Sequence, residues 1–103
     1  MGQRRALLKS LMNNLVIRGE IETTDEKAKE MRPQIEKLLT IGKKQDLAGL
    51  RILLARLPKK AAEKIFYELA PRYKDKSGGY VRIAKAAKLR KGDGARMARI
   101  EFI

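Results

Sequence analysis

The apolar residues of this chain change their period at Pro71. Before that proline they recur mostly at spacings of three and four, the repeat of an amphipathic helix; after it they alternate, the repeat of a strand buried on one face. A long helical part followed by a strand-patterned part folds as helices packed on a sheet. The expectation is one α+β domain over residues 1–103: four helices on a small, mainly antiparallel sheet of two to three strands, with a C-terminal hairpin. At 103 residues such a chain buries about two thirds of its unfolded surface, enough for a core without staples. It has neither Cys nor His, so disulfides and zinc cages are excluded.

The helices are bounded by recognisable chemistry. Leu7, Leu8, Leu11, Met12, Leu15 and Val16 form the first stripe, and Gly19 stops it. Glu20 to Thr23 alternates as a short strand. Thr23 with Glu26 makes a capping box and Thr24 is a competing cap, so a second helix starts near Asp25. Its apolar face is Ala28, Met31, Ile35, Leu38, Leu39 and Ile41; Pro33 predicts a kink or break near Arg32, and Gly42 with Lys43 and Lys44 the end. A third helix, capped by Asp46, carries Leu47, Leu50, Leu53, Leu54 and Leu57 and stops by Pro58. A fourth uses Ala61, Ala62, Ile65, Phe66 and Leu69 and stops by Pro71. Strands are expected over Tyr80 to Ala87 and Ala95 to Ile103, joined by a turn containing Gly92 and Gly94.

Charge narrows the function. The chain carries 25 Lys and Arg against 12 Asp and Glu, a net +13, and such self-repulsion makes sense when a polyanion neutralises it. Nucleic acid fits best. A membrane surface calls for an amphipathic helix with aromatic residues at its apolar edge, and this chain has no Trp and two Phe. The opening Met1-Gly2-Gln3-Arg4-Arg5 has no apolar export segment, so a cytoplasmic location is expected. Residues 20–36 are net acidic and are expected to face away from the polyanion or toward a basic partner; the first nineteen residues and the stretch 72–99 are strongly basic.

Candidate contacts follow. Arg4, Arg5 and Lys9 lie on the first helix with no acid before Glu20, a pattern that favours phosphate over a merely solvated face. Arg82, Lys85, Lys88, Arg90, Lys91, Arg96 and Arg99 crowd one expected hairpin. Between them, Arg72, Lys74 and Lys76 lead into Ser77-Gly78-Gly79, whose glycines allow an RNA phosphate to reach the backbone N–H groups; a plain turn is the alternative. Tyr73 and Tyr80 bracket that loop and are candidates for stacking on unpaired bases, or else core rings with their hydroxyls at the surface. No catalytic residue, metal, cofactor or small-molecule substrate is expected: the only serines are Ser10 and Ser77, and Glu20, Glu22, Asp25 and Glu26 read as strand edge and helix cap.

Several runs resemble the bacterial large-subunit ribosomal protein seventeen family. They are Arg4-Arg5-Ala6-Leu7-Leu8, Ile21-Glu22-Thr23-Thr24, Lys27 to Pro33, Glu36-Lys37-Leu38-Leu39-Thr40, Glu68 to Tyr73, Gly78 to Ile83, and Gly92 to Glu101. They follow one another in order over almost the whole chain. The resemblance implies a non-catalytic structural protein bound to large-subunit ribosomal RNA, on the subunit surface around the polypeptide exit region, with other ribosomal proteins as neighbours. Members usually carry a short basic arm ahead of the position matching Arg4, and here Met1 and Gly2 lead almost directly into the first helix. The competing expectation is a free architectural or regulatory nucleic-acid-binding protein, which calls for a base-reading helix or a symmetric dimer surface.

Overall fold

The computed structural model describes residues 2–89, 92 and 94–103, and the side chains of 2–6 and 86–89 fall outside that description. Arg90 and Lys91, expected in the hairpin, lie outside the described residues, and the same holds for the side chains of Arg4, Arg5 and Lys88. The order is α1 (Gly2–Arg18), β1 (Glu20–Thr24), α2 (Asp25–Lys43), α3 (Leu47–Arg56), α4 (Lys59–Lys64), a π-helical turn (Ile65–Leu69), α5 (Ala70–Arg72), β2 (Val81–Leu89) and β3 (Arg96–Phe102). This is the expected α+β arrangement.

Local chemistry sets most boundaries. Gly19 takes φ +87°, which glycine adopts without Cβ strain, and its N–H closes α1 on the Leu15 carbonyl at 2.7 Å. Of the two candidate caps for α2, Thr24 is used: its Oγ1 accepts the Lys27 N–H at 3.3 Å, while Thr23 is buried in β1 opposite Ala98. Asp46 caps α3, accepting the Gly49 N–H at 2.7 Å.

Neither helical proline breaks its helix. α2 runs unbroken across Pro33. Pro33 and Lys29, whose carbonyl loses its donor, are both exposed, on the solvent side of the helix, while Met31 and Ile35 hold it to the core. Nor does the fourth helix stop before Pro71. The ladder slips to five residues just ahead of it, the Ala70 N–H reaching the Ile65 carbonyl, and a last turn includes the proline. A widened turn gives the pyrrolidine ring room against the Tyr67 carbonyl.

Gly42, expected as a helix stop, is instead buried one residue inside the end of α2. A Cβ there would lie 3.2 Å from both Ala70 Cβ and Ile65 Cγ2, so the missing side chain lets the π-turn and α5 approach α2. The left-handed residue after the helix is Gln45, at φ 54°.

The sheet order is β1-β3-β2, all antiparallel, so β3 is central. Its inner face, Ala98 and Ile100, meets α2 through Met31, Ile35, Leu38 and Leu39; Leu8, Met12, Leu15 and Val16 of α1 complete the core with Leu53, Ile65 and Leu69. Two expected stripes are narrower than their leucines suggest. Leu7 is 46% exposed, and of the leucines on α3 and its C-cap only Leu53 and Leu57 are buried, with Leu47 62% and Leu54 42% exposed.

Candidate nucleic-acid interface

The loop between α5 and β2 is tied down by charges of opposite sign from one helix. Gly79 is left-handed at φ +67°, and three consecutive backbone donors starting with its own converge on a single carboxylate. Gly79 N–H donates to Glu36 Oε1 at 2.8 Å; Tyr80 and Val81 N–H donate to Glu36 Oε2 at 2.8 and 3.0 Å. Of the amides expected to grip an RNA phosphate, at residues 77–79, that of Gly79 is satisfied by the protein's own anion. Glu36, expected to face outward or toward a partner, is an internal ligand. At the other end of the loop Lys43 Nζ donates to the Lys76 carbonyl and, at 2.8 Å, meets the Tyr80 hydroxyl.

Tyr80 corrects a second expectation. It is 1% exposed, its hydroxyl donates to the Lys76 carbonyl at 3.1 Å, and Lys43 Nζ stands 5.1 Å from its ring centroid. Its ring is not a stacking platform for a base. Tyr73 is equally unavailable, buried 5.4 Å from the Tyr80 ring with its hydroxyl on the Ile103 carbonyl at 2.5 Å. The sequence cue misled because a tyrosine beside glycines and lysines has the same local signature whether its ring points in or out. Arg72, Lys74, Lys76, Ser77 and Gly79 are exposed, and Gly78 is half-buried.

The hairpin divides its cations by face. Opposite partners share a side of the sheet, so Arg82, Arg99 and Glu101 stand on the outer face with Glu20 and Glu22 of β1. Arg82 Nε donates to Glu101 Oε1 at 2.7 Å, and Arg99 Nε lies 3.8 Å from Oε2. The Arg82 hydrogen bond, reinforced by the charges of Arg82 and Arg99, holds the Glu101 carboxyl below its usual range. Two arginines expected on RNA are thus engaged with an acid of their own sheet, a pairing invisible until the register is known. Lys85, at the midpoint of β2, and Arg96, opposite its last residue, are exposed.

The candidate cations form two poles rather than one patch. Arg96 lines a groove of about 630 Å³ with Leu7, Leu11, Thr24 and Asp25, placing it at the start of α2 beside the opening turns of α1. Arg72 ends α5 and Lys74 and Lys76 belong to the loop after it, which is pinned by the C-terminal half of α2, a helix of nineteen residues and about 28 Å. Lys9 lies apart, lining a groove with Gln34, Leu38 and Arg56.

The acidic stretch between the poles is partly paired internally, with Lys29 on Asp25 at 3.1 Å and Lys27 on Glu30 at 3.7 Å. Glu36 and Lys43 are the residues sequence reasoning missed. They sit seven apart on α2, off its apolar stripe, a spacing that puts both on one side of the helix but names no partner.

Comparison with known proteins bears on this arrangement. Residues 7–103 match the family model described as Ribosomal protein L17. The chain is 52% identical over 103 residues to the large ribosomal subunit protein bL17 of Persephonella marina, covering 98% of this chain and 83% of that one. It is 48% identical over 103 residues to bL17 of Bdellovibrio bacteriovorus, covering 99% of this chain and 56% of that longer protein. With bL17 of Shouchella clausii the identity is 44% over 110 residues, covering 98% and 91%.

Proposed function

Because the chain belongs to the Ribosomal protein L17 family, we propose that it is a structural constituent of the large ribosomal subunit that binds large-subunit ribosomal RNA through two basic poles. The family is a structural, non-enzymatic ribosome component. One pole is Arg72 at the end of α5 with Lys74 and Lys76 of the loop that follows it. The other is on the hairpin, with Lys85 and with Arg96 beside the opening turns of α1; Arg4, Arg5, Lys88, Arg90 and Lys91 remain candidate contacts on the sequence alone.

The observation that carries this reading is the separation of charge. Lys74 and Lys76 are exposed ahead of β2, Lys85 at its midpoint and Arg96 opposite its last residue, while Arg82 and Arg99 face Glu101 on the outer side of the sheet, with Glu20 and Glu22 alongside. Phosphates draw on the first set and gain little from arginines already facing an acid. The cellular setting is the cytoplasmic ribosome, on the subunit surface around the polypeptide exit region, with neighbouring ribosomal proteins; among the described residues no helix is long and apolar enough to cross a membrane.

The test is RNA binding over a salt series, with large-subunit ribosomal RNA fragments as ligand. Each cation on a phosphate contributes about 0.7 to 0.9 to the slope of log K against log salt, so replacing Lys74, Lys76, Lys85 and Arg96 by Ala flattens it by about three. An unchanged slope overturns the two-pole interface. Cosedimentation with large subunits at high salt supports the ribosomal reading, whereas a soluble pool occupying DNA sites supports a free regulator.

A further inference from the structure

Three consecutive backbone N–H groups aimed at one anion form a nest of the kind that binds phosphate. Here the anion is internal. Glu36 closes the nest at residues 79–81, and Lys43, two turns along α2, draws in the Lys76 carbonyl and the Tyr80 hydroxyl. The arrangement matches charge to backbone polarity: a carboxylate on the donor end of the loop and an ammonium on its acceptor end. The segment contains two adjacent glycines, so its own conformational preferences are weak and α2 supplies the constraint. The stretch so constrained carries Lys76 and leads back through Lys74 to Arg72, all exposed. A Cβ on Gly79 would lie 4.0 Å from Lys76 Cε, so this lysine's stem lies along the clamped backbone.

We propose that Glu36 is a positioning residue of the RNA interface: through the amides of Gly79, Tyr80 and Val81 it fixes the loop in the form that presents Arg72, Lys74 and Lys76 to phosphate. The assignment rests on the reading that this loop touches RNA. Its physical basis is preorganisation, since a loop ordered before binding does not spend interaction energy on ordering itself. It makes a counter-intuitive forecast. By charge alone, removing an acid from a protein that binds a polyanion strengthens binding. Removal of Glu36 is expected to weaken it.

The experiment compares the full chain with Glu36→Ala, Glu36→Gln, the triple variant Arg72→Ala/Lys74→Ala/Lys76→Ala, and the triple variant combined with Glu36→Ala. A large-subunit ribosomal RNA fragment is the ligand, and affinities are referred to the folded fraction. Hydrogen exchange at the 79–81 amides reports the clamp directly. Glu36→Ala is expected to speed exchange there and lower affinity by roughly 5- to 30-fold. Glu36→Gln keeps the length and one acceptor oxygen, and serves if the alanine variant folds poorly; a smaller loss is expected. In the triple background Glu36→Ala is expected to change affinity less than about twofold, because the cations it positions are gone.

A triple variant that binds like the parent removes the loop from the interface and takes the proposal with it. A triple variant that binds weakly, beside Glu36 variants that bind like the parent or better once folded, overturns the proposal and leaves the loop as an RNA contact. An equal loss from Glu36→Ala in both backgrounds also overturns it, since that marks a general structural effect.

Discussion

Arg82 and Glu101 stand directly opposite each other on β2 and β3, and the Arg82 Nε hydrogen bond to Glu101 Oε1 spans 2.7 Å. The strand register therefore decides how much of the formal charge faces RNA. Glu101→Gln leaves the backbone register intact and releases Arg82 and Arg99 from a full negative charge. The expected result is a steeper salt dependence of RNA binding, by up to about 0.7 to 0.9 for each arginine that then reaches a phosphate. Filter binding over a salt series checks it; an unchanged slope means neither arginine is near RNA.

The same pair sets a pH dependence. The carboxyl of Glu101 is held below its ordinary value of 4.5, so the folded state favours its ionised form. Its contribution to stability is fully present above that ordinary value and is lost as the pH falls through the lower, folded-state value. Thermal melts of the parent and Glu101→Gln between pH 6 and 3 are expected to converge on acidification as the parent loses the interaction that the variant already lacks. A constant difference across that range contradicts the assignment.

Helix capping gives a separate check. Thr24→Ala removes the side-chain acceptor for the Lys27 N–H and is expected to cost about 1 kcal/mol, as is Asp46→Ala at the head of α3. Denaturant melts that leave either midpoint unchanged show that the corresponding cap is replaced by water.

Two glycines are expected to respond to different physics. Gly79→Ala meets nothing closer than Lys76 Cε at 4.0 Å, but φ +67° strains any L side chain, so a loss of about 1 kcal/mol is expected from backbone conformation. Gly42→Val forces atoms into a space where even a Cβ is 3.2 Å from Ala70 and Ile65, and overpacking of this kind costs about 1 to 3 kcal/mol. Equilibrium unfolding separates them further: a second substitution, Ile65→Ala, which removes the crowded Cγ2, is expected to relieve part of the Gly42→Val penalty and none of the Gly79→Ala penalty.

α1 packs on the core through Leu8, Met12, Leu15 and Val16, most deeply at the last two. Leu15 is fully buried and Leu11 only partly, so Leu15→Ala is expected to cost about 2 to 5 kcal/mol and Leu11→Ala less. Equal losses in thermal melts place the packing seam of α1 differently from the structure.

What was legible from the residues was whatever short-range chemistry decides. Gly19 ends a helix because a left-handed residue is needed there, Asp46 caps because its carboxylate reaches Gly49, and residues 96–102 alternate because one face of β3 is buried. What was not legible depends on partners far along the chain. Glu36 meets Tyr80 across 44 positions, and nothing near either residue announces the other. Leu47 and Leu54 look like core on a helical wheel, and only the placement of α3 against α2 and α4 shows that the buried side is Leu53 and Leu57. Of the candidate interface, the exposed lysines followed from charge; the neutralisation of Arg82 and Arg99 needed the register, and the burial of Tyr80 needed α2.

The sheet order also bears on synthesis. β1 and β2 pair with β3 and not with each other, so neither gains a ladder until Arg96–Phe102 have been made. β1 is produced early and remains an unpaired strand through the whole interval in which α2, α3 and α4 are added. Unpaired strands are templates for association between chains, and charged side chains are the usual protection. Glu20 and Glu22, which mark the outer face of the finished sheet, give the nascent β1 that protection at the time it has no partner. Replacing both with Thr is a change the folded protein tolerates more readily than the growing chain does.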